Sequence, residues 1–122
     1  MGQYLSAGSS DNTTNNMSAN AIVQSAITNN DLMVFSKSYC PFCTQAKREL
    51  SQAGLEYNVI ELDQGAVSYD GQEAEGSDVQ GIIKSQYKHR TVPAVFVKGK
   101  LLGGCDDTVA AIRNGKLKEM LA

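Results

Sequence analysis

The sequence predicts an α/β domain: one mixed, four-stranded sheet with helices on both faces. Three observations lead there. A strand, a helix and a second strand follow one another within about 30 residues, the length of a βαβ unit. Two further strand-like runs flank a glycine-containing turn nearer the C-terminus. Helical periodicity brackets both units. With 122 residues, 42% of them hydrophobic, the chain is long enough for one core and short for two.

Residues 1–17 (MGQYLSAGSSDNTTNNM) are rich in Gly, Ser, Thr and Asn and poor in core-forming side chains. Too little apolar surface is available there to offset the ordering entropy, so a disordered arm is expected, with the folded domain spanning 18–122. From Ser18, residues Ala19, Ile22, Val23, Ala26 and Ile27 share one helical face. Asn29-Asn30-Asp31 stops that helix, and Leu32-Met33-Val34-Phe35 suits a buried strand. After a loop over 36–39, Pro41 opens a helix to about Gln52, its missing N–H being one that would go unpaired anyway. Gly54 ends it, and Tyr57 to Leu62 forms the next strand, parallel to the first through a right-handed crossover. The glycine-rich, acidic stretch Asp63 to Gly76 is expected to be an exposed loop, and Ser77 caps a helix through Tyr87. Ala94–Val97 and Leu101-Leu102, joined through Lys98-Gly99-Lys100, pair as a hairpin. Gly103-Gly104-Cys105-Asp106-Asp107 opens a helix through Ile112, and a short last helix follows Asn114-Gly115.

Composition excludes several functions. With 11 basic and 13 acidic residues the chain has no electrostatic footprint for nucleic acid. No apolar run approaches the ~18 residues that would span a bilayer. Three cysteines do not make a disulfide scaffold, no signal-type apolar run is present, and the first 36 residues lack the Lys and Arg of a transit peptide. A reducing, cytoplasmic setting is expected, where an isolated Cys-x-x-Cys pair is more chemical than structural.

That pair is Cys40-Pro41-Phe42-Cys43, at the strand-to-helix junction. Cys40 precedes the first helical residue, where unpaired N–H groups and the positive end of the helix dipole favour a thiolate. Lys37 adds positive charge. Cysteines so placed have pKa values lowered from ~8.5 to roughly 3.5–7.5, which makes Cys40 the candidate nucleophile. Cys43 shares a helical stripe with Ala46, Leu50 and Ala53, faces the core, and suits a resolving thiol. A zinc half-site is the competing reading; with only Cys105 and the lone His89 left as further ligands, no metal is expected.

Lys37-Ser38-Tyr39-Cys40-Pro41-Phe42-Cys43, Arg90-Thr91-Val92-Pro93 and Gly103-Gly104-Cys105-Asp106-Asp107 together resemble the dithiol glutaredoxins, of thioredoxin-like fold, over about Ala19 to Leu121. The resemblance implies an enzyme: a glutathione-dependent thiol-disulfide oxidoreductase, acting as a monomer on protein disulfides and protein–glutathione mixed disulfides. It implies a cis Pro93 that presents the Val92 backbone to an extended peptide as an added strand. The helix start at Cys105 and Asp106, after Gly104, would take the γ-glutamyl carboxylate and the Asp106 side chain the ammonium group. Lys37 and Gln80 would meet the glycine carboxylate of glutathione, with Tyr39 and Thr91 flanking the site. His89 is expected on a surface loop. The alternative function is an iron–sulfur cluster shared by two chains through Cys40 and glutathione; Pro41 stands where cluster-holding members of the family usually have a smaller residue.

Two features depart from the resemblance. The 65–76 loop is several residues longer than most members carry, and its acidic residues lie outside the matched motifs. Met1-Gly2-Gln3-Tyr4-Leu5-Ser6 fits the N-myristoylation pattern with Gly2 as acceptor. A single acyl chain, with no basic cluster or second lipid beside it, would give only weak, reversible membrane contact.

Overall fold

The structure, a computed structural model, describes the backbone from residue 7 to residue 122 and side chains from residue 17 onward. Gly2 and the acylation pattern lie outside the described residues. In chain order the elements are α1 (Ala7–Asn29), β1 (Leu32–Ser36), α2 (Pro41–Gln52), β2 (Asn58–Glu61), β3 (Ala66–Tyr69), β4 (Gln72–Glu75), α3 (Gly76–Tyr87), β5 (Ala94–Val97), β6 (Lys100–Gly103), α4 (Cys105–Arg113) and α5 (Lys116–Leu121).

The main sheet has the order β2-β1-β5-β6, with β1 parallel to β2 and antiparallel to β5. This is the expected four-stranded mixed sheet of the thioredoxin-like fold. Strands β1 and β5 are buried along their whole length, as central strands covered on both faces must be. Side-chain alternation divides the core in two. Met33, Phe35, Ala94 and Phe96 point towards α1 and α3, where Phe96 meets Phe35 and Tyr87 edge-on at 5.7 and 5.0 Å. Leu32, Val34, Val95 and Val97 point the other way, packing with Leu50 of α2, Ala111 of α4 and Leu117 of α5.

Three expectations are corrected. First, α1 starts at Ala7, not at Ser18. Among the described side chains, the first buried one is Ala19. Once that stripe is packed, earlier turns need only propagation, which is far easier than nucleation. Second, the acidic segment is not a simple loop. Asp70 (φ 51°) and Gly71 (φ 78°) form a two-residue turn with both residues left-handed, the geometry that matches strand twist. Around it Val67 pairs with Ala74, and both are buried against α1. Third, Ser77 does not cap α3. The helix begins at Gly76, whose backbone packs so tightly on the Leu62 carbonyl that a Cβ would overlap it.

Candidate active site

The carboxyl end of β1 delivers the chain into a short loop that ends at Cys40. Its backbone is extended (φ −84°, ψ 118°), and Pro41 opens α2 directly behind it. The Cys40 N–H donates to the Lys37 carbonyl at 3.1 Å. The Cys40 carbonyl accepts from the Thr44 N–H at 3.1 Å and the Thr44 hydroxyl at 3.2 Å. From across the sheet end, Asp63 anchors the loop by accepting from the Ser38 N–H (3.1 Å) and the Ser38 hydroxyl (2.5 Å). Those bonds hold the Asp63 carboxyl below its usual range. The loop is therefore fixed at both ends.

The two sulfurs of the pair are held in opposite states. Partial burial works against a charged Cys40, but the Cys43 N–H, the Cys43 thiol, the Phe42 N–H and the Lys37 charge outweigh it and bring the thiol below its ordinary value. Cys43 has no exposed surface. Burial pushes its thiol up, and the neighbouring Cys40 sulfur adds to that, against the Lys37 N–H and the Ser36 hydroxyl. One sulfur is accessible and inclined to ionise; the other is hidden and kept protonated. All three cysteines are free thiols.

Beside Cys40 the chain passes through the Val92–Pro93 peptide bond, which is cis. The Cys40 sulfur lies 3.8 Å from the Val92 carbonyl oxygen. A groove of about 370 Å³ runs on from there, lined among others by Phe42, His89, Val92, Gly104 and Asp106. Gly104 precedes the first residue of α4, and the buried Thr108 hydroxyl holds its carbonyl at 2.8 Å. Gly103 before it is left-handed (φ 139°) and so close to the Asp107 carboxylate that only glycine fits. A larger surface hollow, around Asn30, Ser51, Glu56 and Leu121, contains none of these residues. Among the described residues, no three His, Cys, Asp or Glu side chains gather as a metal would require.

Of the residues singled out from sequence, Thr91, Val92, Pro93, Gly104, Cys105 and Asp106 all line this groove. Lys37 and Tyr39 lie on the Cys40 loop instead, Tyr39 largely exposed. The side-chain amide of Gln80 donates to the Arg90 carbonyl at 3.2 Å, bracing the segment that leads into Thr91. Asp106 is the second residue of α4; the residue before the helix is Gly104. His89 is a correction: it is half-buried in the groove wall, with Nε2 3.1 Å from the Pro93 carbonyl. A carbonyl can only accept, so the proton sits on Nε2. Phe42 and Asp63 were given no role at the site. Phe42, an apolar ring exposed on the first turn of α2, carried a signal in its position; Asp63 depends on tertiary proximity.

An ionisable sulfur beside a hidden thiol one turn away can open a disulfide by two successive displacements, and the open groove admits the chain that carries it. Fold and site together define a thiol-disulfide oxidoreductase. The glutaredoxin family model matches residues 32–102. Glutaredoxin-1 of Rhizophagus irregularis is 40% identical over 100 residues, covering 82% of this chain and 91% of that protein. A glutaredoxin of Vernicia fordii is 42% identical over 98 residues, covering 80% and 86%. The crystal structure of a buckwheat glutaredoxin–glutathione complex superposes with a TM-score of 0.75 at 37% identity, covering 89% of this chain and 91% of that one. The chain belongs to the glutaredoxin family, and with it to the glutathione-dependent oxidoreductases.

Proposed function

We propose that this glutaredoxin reduces protein disulfides and protein–glutathione mixed disulfides, with Cys40 as nucleophile and Cys43 as resolving thiol. The asymmetry of the pair supports the reading above all else: Cys40 is partly accessible with its thiol lowered, and Cys43 is wholly buried with its thiol raised. The Cys40 thiolate attacks one sulfur of the substrate disulfide, forming a new S–S bond, and the other sulfur leaves as a thiolate that takes up a proton. When the substrate is a glutathionylated protein, glutathione stays on Cys40 and the protein thiol departs. A second glutathione then releases the first as glutathione disulfide. Alternatively, Cys43 loses its proton and attacks Cys40, leaving an internal disulfide that two glutathiones reduce.

Glutathione would lie along the groove as an extended strand against the Val92 backbone, its sulfur beside Cys40. Its γ-glutamyl carboxylate would face the N–H groups of Cys105 and Asp106 that open α4, its ammonium the Asp106 carboxylate. Lys37, reaching from the Cys40 loop, suits the glycine carboxylate at the other end, with Gln80, Tyr39 and Thr91 around it. Within the same proposal the enzyme is a monomer of a reducing, cytoplasmic compartment, attached reversibly to membranes where Gly2 is acylated.

Two substitutions test the roles. Cys40→Ser should abolish turnover of both a glutathionylated peptide and an internal protein disulfide. Cys43→Ser should keep the first activity and lose most of the second. Full activity of Cys40→Ser in a glutathione-coupled assay would overturn the assignment.

A further inference from the structure

Between the end of α3 and Pro93 the chain makes a turn that brings one imidazole into the groove. Lys88 ends α3 in the left-handed region (φ 58°), its N–H on the Lys84 carbonyl at 3.1 Å. A lysine adopts that conformation at a cost. Beyond it Lys88 stays exposed, whereas His89 lines the groove, half-buried. Its Nε2–H donates to the Pro93 carbonyl, four residues on, at 3.1 Å. That bond closes a short loop of chain on itself, and the loop contains Thr91 and Val92. Gln80 holds the same loop from α3 through the Arg90 carbonyl at 3.2 Å, so Val92 lies between two anchored carbonyls.

The same imidazole reaches a second wall. Pro93 precedes β5 and Gly104 follows β6, each beyond the last register pair of that hairpin, Val95 with Gly103. The bare face of Gly104 looks onto the His89–Pro93 hydrogen bond: a Cβ there would lie 3.6 Å from the Pro93 oxygen and 3.7 Å from the His89 Cε1. From behind, the Gly104 carbonyl accepts from the Thr108 N–H at 3.0 Å and the Thr108 hydroxyl at 2.8 Å, which fixes it to α4. One side chain therefore extends from the segment carrying Val92 to the head of α4, where the strand ladder no longer ties the two together.

We propose that His89 is a positioning residue for glutathione: its Nε2–H, on the Pro93 carbonyl, fixes the Val92 backbone at the distance from the α4 head that the extended tripeptide spans. The proposal rests on the groove reading given above, in which the cysteinyl segment pairs with Val92 and the γ-glutamyl end meets Cys105 and Asp106. The imidazole takes no part in the exchange itself. It acts through the backbone it holds, so its influence is confined to disulfides that carry glutathione.

The test uses one peptide thiol capped in two ways, as a mixed disulfide with glutathione or with mercaptoethanol, which has no peptide arms. Each is mixed with the reduced full chain in the absence of free glutathione, and loss of the capped peptide is followed by mass spectrometry. With the first substrate, Cys40 forms a disulfide with glutathione and the peptide sulfur leaves as a thiolate that takes up a proton. The wild-type chain should consume the glutathione-capped peptide faster. Since one net hydrogen bond changes an equilibrium by about fivefold, His89→Ala and His89→Phe should each slow that substrate about fivefold. Neither should change the rate with the mercaptoethanol cap or the alkylation of Cys40 by iodoacetamide. His89→Gln keeps an N–H donor and should stay within about twofold of the wild type on both substrates. Equal slowing with both caps would overturn the proposal, since a general disturbance of the fold acts on both. Rescue by Phe but not by Gln would also overturn it, because the ring would then act by packing alone. A wild-type chain indifferent to the cap would remove the groove reading and this proposal together. A wild-type preference that survives in all three variants removes the role of His89 and leaves the groove reading in place.

Discussion

Cys40 at the head of α2 and Cys105 at the head of α4 both sit where a helix turns unpaired N–H groups outward. The first thiol is nevertheless held below its ordinary range and the second above it. Three differences account for the contrast. Cys40 is the extended residue before its helix, so its sulfur can fold back over the Phe42 and Cys43 N–H groups. Cys105 is already the first helical residue and is buried, and that burial is the largest influence on it. Finally, Lys37 stands near Cys40 and the first turn of α2 has no acidic residue, whereas the carboxylates of Asp106 and Glu49 act on Cys105. A helix terminus contributes about 0.3–1 kcal/mol in exposed settings, too little to prevail over burial and adjacent carboxylates. What makes a cysteine reactive is the position of its sulfur relative to the amide ends.

The largest expected effect is in alkylation of the reduced protein. At pH 7 iodoacetamide should modify Cys40 markedly faster than Cys105, since the first thiol is lowered and partly accessible and the second is raised and buried. Because the Cys40 thiol is lowered, its rate should stay high below the ordinary thiol range and fall only as pH drops through the lowered value. Peptide mass mapping reads both sites, and equal rates would break the contrast. A smaller effect is expected for Lys37→Gln. Lys37 acts on Cys40 through charge and ranks below the N–H groups, so Cys40 alkylation at pH 7 should slow only about two- to threefold, and less in high salt. The smallest belongs to Asp106→Asn. Removing that carboxylate relieves the second-ranked influence on Cys105 and should speed its alkylation by about twofold, with burial still keeping it slow.

Much of this was legible in the sequence because it is local. The helical stripe of Ala19 to Ile27, the apolar run of β1, Pro41 behind Cys40 and the inward phase of Cys43 all follow from spacing, and the structure has each of them. The hairpin at 66–75 has a local signal as well, the Asp70-Gly71 turn dipeptide, but its second strand, Gln72-Glu73-Ala74-Glu75, is built of residues with low strand propensity and reads as loop. Other features lie beyond local pattern. Nothing near His89 in the chain says that its ring will meet the Pro93 carbonyl and Gly104, since that depends on how β5 and α4 come together. The hold of Asp63 on Ser38 likewise joins segments separated by a helix and a strand.

The tight seat of Gly76 on Leu62 bears on how the fold tolerates change. Gly76 also donates from its N–H to the Gly65 carbonyl at 2.9 Å, so the chain enters and leaves the β3–β4 hairpin at a pinched stem. A protein engineer could lengthen, shorten or recode the tip at Asp70-Gly71 as a cassette, because the two strands that carry it are closed off below by that clasp.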